Sequence, residues 1–327
     1  LDDIGLPSVY VPINKLKNSE IISGGSENTH PAFSVDGVEK SRFLYSKYQN
    51  IIINGRAYSL SHRDPKTYVN FDQARQACEA KGAGFHLGTL AEWAAVALLT
   101  RKMGTMPHGN NNYGGDSAYT YEKGQESAKD NNKTGRTFTG SGPATWGHDH
   151  TQFGIQDMNG NVWEWLGGMR LNEGEIQIIP YNNAALGSEC DMSASSTLWK
   201  AIKNDGSLVA PGTAATLKYD FVSGNIQLTT GITSAQDAGR GGSYTTMTLA
   251  SGVTAPELAK ALILYPDEPG KDYGGDYHWM NNAGERLPIA GGGWSDGADA
   301  GVFYLNLNSA RSNSNGNIGF RSAYVEL

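Results

Sequence analysis

An α+β fold is the expectation for this chain, and three observations lead to it. Two helical segments, 70–81 and 89–103, lie close together in the first third. They are followed by many short β-branched or aromatic runs and long loops, with no strand–helix alternation of the kind that builds a parallel sheet. Finally, 42 of the 327 residues are glycine, about 13% against roughly 7% in average usage, so the chain turns often.

In chain order, Ser8–Ile13 (SVYVPI) and Tyr48–Leu60 (YQNIIINGRAYSL) carry the β-branched and aromatic content of strands. Asn54-Gly55 divides the second run and predicts a tight hairpin, because both central residues of such a turn need positive φ. Asn70–Lys81 (NFDQARQACEAK) predicts a helix capped by Asn70, with Asp72 complementing its dipole and Ala74, Ala77 and Cys78 on one face. Gly82 and Gly84 end it. Thr89–Met103 predicts a second helix whose Thr89 and Glu92 stand at capping-box spacing, with an apolar face of Trp93, Val96, Ala97 and Leu99. The polar, glycine- and asparagine-rich stretch Gly104–Gly142 is expected to be surface loop. Between about 168 and 285 the chain looks like an insertion of strands (Glu175–Ile179, Ala214–Val222, Asn225–Leu228) and one short helix (Ala255–Leu264). The organisation expected is N-terminal strands over 1–60 leading into a domain over 61–327.

The charge balance, 26 Lys+Arg against 33 Asp+Glu for a net −7, disfavours nucleic acid and anionic membranes as partners. The longest apolar stretch, Trp93–Leu99, is too short for membrane insertion. Residues 1–14 have neither a basic start nor an apolar core, so no signal peptide is visible there. The two cysteines, Cys78 and Cys190, form no zinc spacing and are either buried thiols or one disulfide.

Three segments concentrate the information. Phe85–Trp93 (FHLGTLAEW) joins the helices. Gly154–Trp165 (GIQDMNGNVWEW) turns at Asn159-Gly160 into an extended stretch with Trp163 and Trp165 on one side and Glu164 on the other. Ala290–Trp294 (AGGGW) is followed at the end by Ile318–Ala323 (IGFRSA).

In this order the segments resemble the formylglycine-generating-enzyme branch of the C-type lectin fold, with its "LPTEAEWE", "G-N-V-W-E-W", "R-G-G-S-W" and "G-F-R" motifs. The resemblance implies that fold, with two helices and short antiparallel strands, long loops and an insertion. The family's catalyst uses cysteines near the C-terminal strand, and none stands between Trp294 and Leu327. Its iron-dependent relatives need histidines with a carboxylate; His148 and His150 are the only close pair, either loop residues or a metal site. The ordinary lectin calcium and sugar motifs are missing. In the family, the Asn-Val-Trp-Glu strand often helps hold a structural calcium, which makes Asn161, the Val162 carbonyl and Glu164 candidate ligands; the alternative is ordinary hydrogen bonding. No cofactor is otherwise expected, and no residue is assigned as catalytic.

Ser295–Asn317 (SDGADAGVFYLNLNSARSNSNGN) holds no Lys, Glu, Gln, Met or Trp. Its Asn, Ser, Asp, Gly, Ala and Tyr are the adaptable contact chemistry of a paratope. Bracketed by Trp294 and Ile318–Ala323, it resembles the variable region (about 294–323) of a diversity-generating-retroelement protein, where altered asparagine codons yield this residue set. Gly109–Gly114 (GNNNYG) is similar to the same group. A partnerless polar loop is the alternative. By residue type and alternation, the varied positions are expected to be Ser295, Asp296, Ala298, Asp299, Tyr304, Asn306, Asn308, Ser309, Ser312, Ser314, Asn315 and Asn317. Gly301, Val302, Phe303, Leu305, Leu307, Ala310 and Arg311 form the constant frame. The function so implied is binding of a protein or other macromolecular receptor on a host or target cell, by a homo-oligomer or single copies at a virion or cell surface. The rivals are a metal-dependent oxidase or hydroxylase using His148 and His150, and a cell-surface binding module without diversification.

Overall fold

The computed structural model describes residues 1–327. Strand β1 (Tyr10–Asn14) pairs antiparallel with β2 (Arg42–Ser46), Tyr10 opposite Ser46. The hairpin of β3 (Ile51–Ile53) and β4 (Arg56–Tyr58) turns at Asn54 and Gly55, with φ of 49° and 79° as such a turn demands. Helix α1 (Phe71–Glu79) follows, capped by Asn70, whose side chain accepts from Gln73 N while Gln73 accepts in return. Strand β5 (Phe85–Leu87) leads to α2 (Leu90–Met103), where Thr89 and Glu92 complete the expected capping box and Gly104 takes the left-handed cap. Glu92 is fully buried and also bonds His86 Nε2 at 2.8 Å, so this helix start is tied to β5.

The principal strands that follow, leaving aside short two- and three-residue pairs, are β6 (Trp163–Trp165), β7 (Met169–Asn172), β8 (Glu175–Ile178), β9 (Lys218–Val222), β10 (Asn225–Thr229), β11 (Arg240–Ser243), β12 (Tyr277–Met280), β13 (Glu285–Ala290), β14 (Leu305–Ser309), β15 (Ile318–Phe320) and β16 (Ser322–Tyr324). They give two main sheets. In the small one, β16 lies between β2 and β5, so the last strand is held by the first third of the chain. In the large one the order is β11-β12-β14-β13-β7-β8-β9-β10, and β6 is held between β13 and β15. The mixed, mostly antiparallel pairing and few helices make this an α+β protein. No helix is long and apolar enough to cross a membrane.

Strand alternation in the large sheet separates two cores. Met280, Ala290, Leu305, Leu307 and Leu166 face the core built on α2. Trp163, Trp165, Leu287, Ile289, Ile318 and Phe320 face a second core with Phe71 of α1. Strands of 168–285 continue this sheet through the β7–β13 pairing, Leu171 opposite Arg286. Three expectations shift. The strand expected over Ala214–Val222 starts at Lys218, because Ala215 has φ 60° and bends the chain before it. The helix expected over Ala255–Leu264 is only Glu257–Ala261. The stretch 104–142 is not all surface: Asn110, Asn111, Asp116, Thr137 and Thr139 are buried. There, side-chain amides supply the partners that regular structure would, Asn110 donating to Gly135 O and accepting from Gly114 N.

Candidate binding face

The segment expected to vary starts at a glycine turn. Gly291 and Gly292 have φ of 90° and 83°, and a Cβ at Gly292 would press on Ala300 and Tyr304. Gly293 N donates to Asp296 Oδ2 at 2.7 Å, which folds residues 293–296 into a turn beside the Trp163 indole. Trp294 is pinned from the other side, its Nε1 donating to Asp130 Oδ2 at 3.1 Å and its carbonyl accepting from Tyr113 N at 2.7 Å.

The expected alternation holds. Phe303, Leu305 and Leu307 enter the α2 core, whereas Tyr304, Asn306 and Asn308 share the opposite face. Ser295, Ala298, Asp299, Ser312, Ser314 and Asn315 are exposed, and Asp296, Asn306, Asn308 and Asn317 are partly buried. Two assignments are corrected. Tyr304 is 4% exposed and Ser309 5%. Tyr304 packs on Trp163 with ring centroids 4.5 Å apart, and its hydroxyl accepts from Trp279 Nε1 at 2.9 Å. Burial pushes its phenol well above the ordinary range. It therefore forms the floor of the face, not a contact on top of it. Ser309 is buried because it sits in the ladder opposite Leu287, under the second core.

The frame residue Arg311 is a clamp. Its guanidinium bonds both oxygens of Glu285 at 3.0 Å and Asp72 Oδ1 at 3.1 Å, and lies over the Phe71 ring. Its carbonyl accepts from Phe71 N, and Asn315 O accepts from Tyr68 N, so 311–315 runs along the start of α1. The loop can thus expose Ser312, Ser314 and Asn315 without itself being loose.

Sequence reasoning missed Tyr277 and Trp279. They lie on β12, which pairs in parallel with β14, Trp279 opposite Asn306, and they point to the same side as Asn306 and Asn308. The signal was the alternation Tyr-His-Trp-Met itself, two aromatics on one face with buried His278 and Met280 on the other. Asn281 Nδ2 donates to Asn308 Oδ1 at 3.0 Å, a second link from this strand to the variable segment.

Of the calcium candidates, the Val162 carbonyl and Glu164 converge on one position, which the Gln49 amide nitrogen occupies, while Asn161 Oδ1 is turned to other donors. Asn161 Oδ1 accepts from Thr137 N at 2.8 Å and Asn110 Nδ2 at 3.2 Å. The Val162 carbonyl accepts from Gln49 Nε2 at 2.9 Å. Glu164 accepts from the Arg321 guanidinium, Nε to Oε2 at 2.7 Å and Nη2 to Oε1 at 2.9 Å, and from Gln49 Nε2 at 3.0 Å. These oxygens already face N–H donors, one a cation, and a divalent ion does not fit among them. Of the two readings of this strand, the geometry has hydrogen bonding. The histidines also part: His148 Nδ1 accepts from Ile155 N at 2.9 Å, and His150 Nε2 meets Met106 O at 3.0 Å. Burial lowers the pKa of His148, and no cluster of three His, Cys, Asp or Glu side chains is placed to hold a metal. Cys78 and Cys190 are both buried free thiols, and burial raises the pKa of each.

A family model described as the sulfatase-modifying factor enzyme 1-like domain matches residues 32–250. No curated protein matches the chain in sequence. Among solved structures, the chain is similar to Treponema denticola variable protein 1 at 13% identity, covering 96% of this chain and 94% of that one, with a TM-score of 0.34. It is similar to PvdO from Pseudomonas aeruginosa at 13% identity, covering 98% and 92%, with a TM-score of 0.37. It is similar to the Major Tropism Determinant P3c variant at 12% identity, covering 96% of this chain and 62% of that one, with a TM-score of 0.34. These likenesses are distant, and the functional reading rests on the chain's own residues.

Proposed function

The chain belongs to the sulfatase-modifying factor enzyme 1-like domain family, and we propose that it uses this scaffold for ligand binding through a face of exchangeable side chains. The carrying observation is the separation within 295–317. The frame residues Val302, Phe303, Leu305 and Leu307 are buried and Arg311 is clamped, while Ser295, Ala298, Asp299, Ser312, Ser314 and Asn315 stand outside. Exposed substitutions of this kind usually move stability by only about ±0.5 kcal/mol, so their identity is free to change. Tyr277, Trp279 and Tyr304 supply an aromatic floor that stays the same while its surroundings vary.

In this reading the variation comes from a diversity-generating retroelement, and the ligand is a protein or other macromolecular receptor on a host or target cell. The face serves phage or virus attachment at a virion or cell surface, and several copies on one particle compensate for weak single contacts. The sites of the rival oxidase or hydroxylase reading are spent elsewhere, since His148 and His150 bond separate backbone groups.

The test is a displayed library of the full chain, randomised at Ser295, Ala298, Asp299, Asn306, Asn308, Ser312, Ser314 and Asn315 and selected on purified lysozyme as bait. The reading expects most members to stay folded and selected binders to differ at these positions. A library that is mostly protease-sensitive, or binding that does not track these residues, would overturn it.

A further inference from the structure

A cavity of about 250 Å³ opens beside the variable positions Ala298 and Asp299, between the 106–119 loop and the 297–302 turn. Its walls include Met106, Pro107, Ala298, Ala300 and Val302, and Asp276 also lines it. Asp276 is 2% exposed. One carboxylate oxygen, Oδ2, accepts from Phe303 N at 2.7 Å, while Oδ1 takes no hydrogen bond. Gly301 lets the carboxylate lie against the backbone, since a Cβ there would collide with it.

No Lys or Arg side chain pairs with Asp276 or with its neighbours Asp272 and Asp299; the nearby Arg101 guanidinium is committed to Asp267 and Glu268. A buried acid with a free oxygen and no counter-ion is costly unless something supplies the missing charge. Burial, with Asp272 and Asp299 adding to it, pushes the Asp276 carboxyl up to about 8, as befits an acid without a partner cation. The cavity's other carboxylate is spent internally: Asp116 accepts from the Gly109, Ala118 and Tyr119 amides. Asn111 and Asn159 line the cavity too, but their oxygens already accept from Ser117 N and Asn111 Nδ2, so a metal ion would find too few free oxygens here, whereas the apolar wall residues beside the one free carboxylate oxygen suit an alkyl chain with a charged tip.

We propose that this cavity binds an alkylammonium group, with the Asp276 carboxylate receiving its N–H donors and the apolar walls its methylenes. A lysine side chain of the displayed face's ligand is the natural carrier. That last step rests on the proposed function; the cavity's preference for the group does not.

The experiment titrates n-butylamine into the full chain at pH 9, where the Asp276 carboxyl is ionised and the amine still charged, and follows the Phe303 and Gly301 amides by NMR, with n-butanol as the uncharged control. Saturable shifts are expected with butylamine, and roughly tenfold or weaker binding with butanol. Asp276→Asn, which keeps an acceptor for Phe303 N, is expected to weaken butylamine binding by roughly tenfold or more. Ala298→Trp, placed at an exposed mouth residue, is expected to block entry even if the Asp276 variant does not fold. Absent saturation, equal binding of butanol, or butylamine binding unaltered in folded Asp276→Asn or in Ala298→Trp would overturn the proposal. Failure here with a successful library would remove the cavity alone. Butylamine binding beside a failed library would leave the cavity standing and remove the display reading.

Discussion

Arg321 and Glu164 form a fork-to-fork ion pair in the interior, Nε to Oε2 at 2.7 Å and Nη2 to Oε1 at 2.9 Å, with both side chains nearly inaccessible. The pair joins the Asn-Val-Trp-Glu-Trp strand to the terminal Gly-Phe-Arg, residues 157 positions apart. β15 lies parallel to β6 with Glu164 opposite Gly319, so the pair fixes the strand that follows the 295–317 segment. Arg321 also donates to the carbonyls of Ser46 and Lys47, which ties the large sheet to β2.

Removing one partner of this pair leaves the other buried and uncompensated. Arg321→Met is therefore expected to destabilise the protein by about 3–5 kcal/mol in chemical denaturation. Loss of under about 1 kcal/mol would mean that the interior tolerates an unpaired Glu164.

The same geometry predicts the response to metal removal. Since N–H donors occupy the oxygens of Asn161, Val162 and Glu164, the melting temperature is expected to be the same in excess EDTA as in millimolar calcium. A calcium-dependent rise lost in Asn161→Ala would place an ion on this strand after all.

Tyr304 carries a second expectation. Tyr304→Phe keeps the ring on Trp163 but leaves Trp279 Nε1–H without its acceptor, a change expected to cost about 1 kcal/mol. Tyr304→Ala also opens a cavity beside Trp163 and is expected to cost about 3–5 kcal/mol. Thermal melts of both variants beside Ser314→Ala, expected within about ±0.5 kcal/mol of the parent, distinguish floor from surface. Equal, small effects in all three would put Tyr304 back on the surface.

Asp276 sets a pH dependence. Its folded carboxyl is raised to about 8 by burial, with Asp272 and Asp299 adding to it, whereas in the unfolded chain it titrates near 4. The folded state then holds a proton that the unfolded state has released. Stability from this group is full below about pH 4 and is lost as pH rises toward about 8, by an amount on the order of a few kcal/mol. The difference between wild type and Asp276→Asn, measured by denaturation from pH 4 to 9, is expected to move steadily against the wild type. A flat difference would show that Asp276 is charged throughout.

Local signals in the sequence were strong where the chain solves its own problem. Asn54-Gly55 and the Thr89/Glu92 box depend on neighbours a few residues away, and both stand as expected. The alternation of 303–308 was equally legible, since the pleat forces it. What could not be read was which outward side chains are then covered. Tyr304 is buried by Trp163 and Trp279, from strands 141 and 25 positions away in number, and neither spacing nor residue type announces that contact. The partners of the calcium candidates were hidden in the same way. The strand alone shows Asn161, Val162 and Glu164, while Gln49 and Arg321, which bond the oxygens of Val162 and Glu164, come from elsewhere in the chain.

The most direct measurement replaces the exposed set Ser295, Ala298, Asp299, Ser312, Ser314 and Asn315 together with residues drawn from a lysozyme-selected binder. Melting temperature and lysozyme affinity are then measured on the same purified protein. The account predicts a melting temperature within a few degrees of the parent and acquired, saturable lysozyme binding. Cooperative unfolding lost on exchange, or a folded protein that gains no binding, would contradict it.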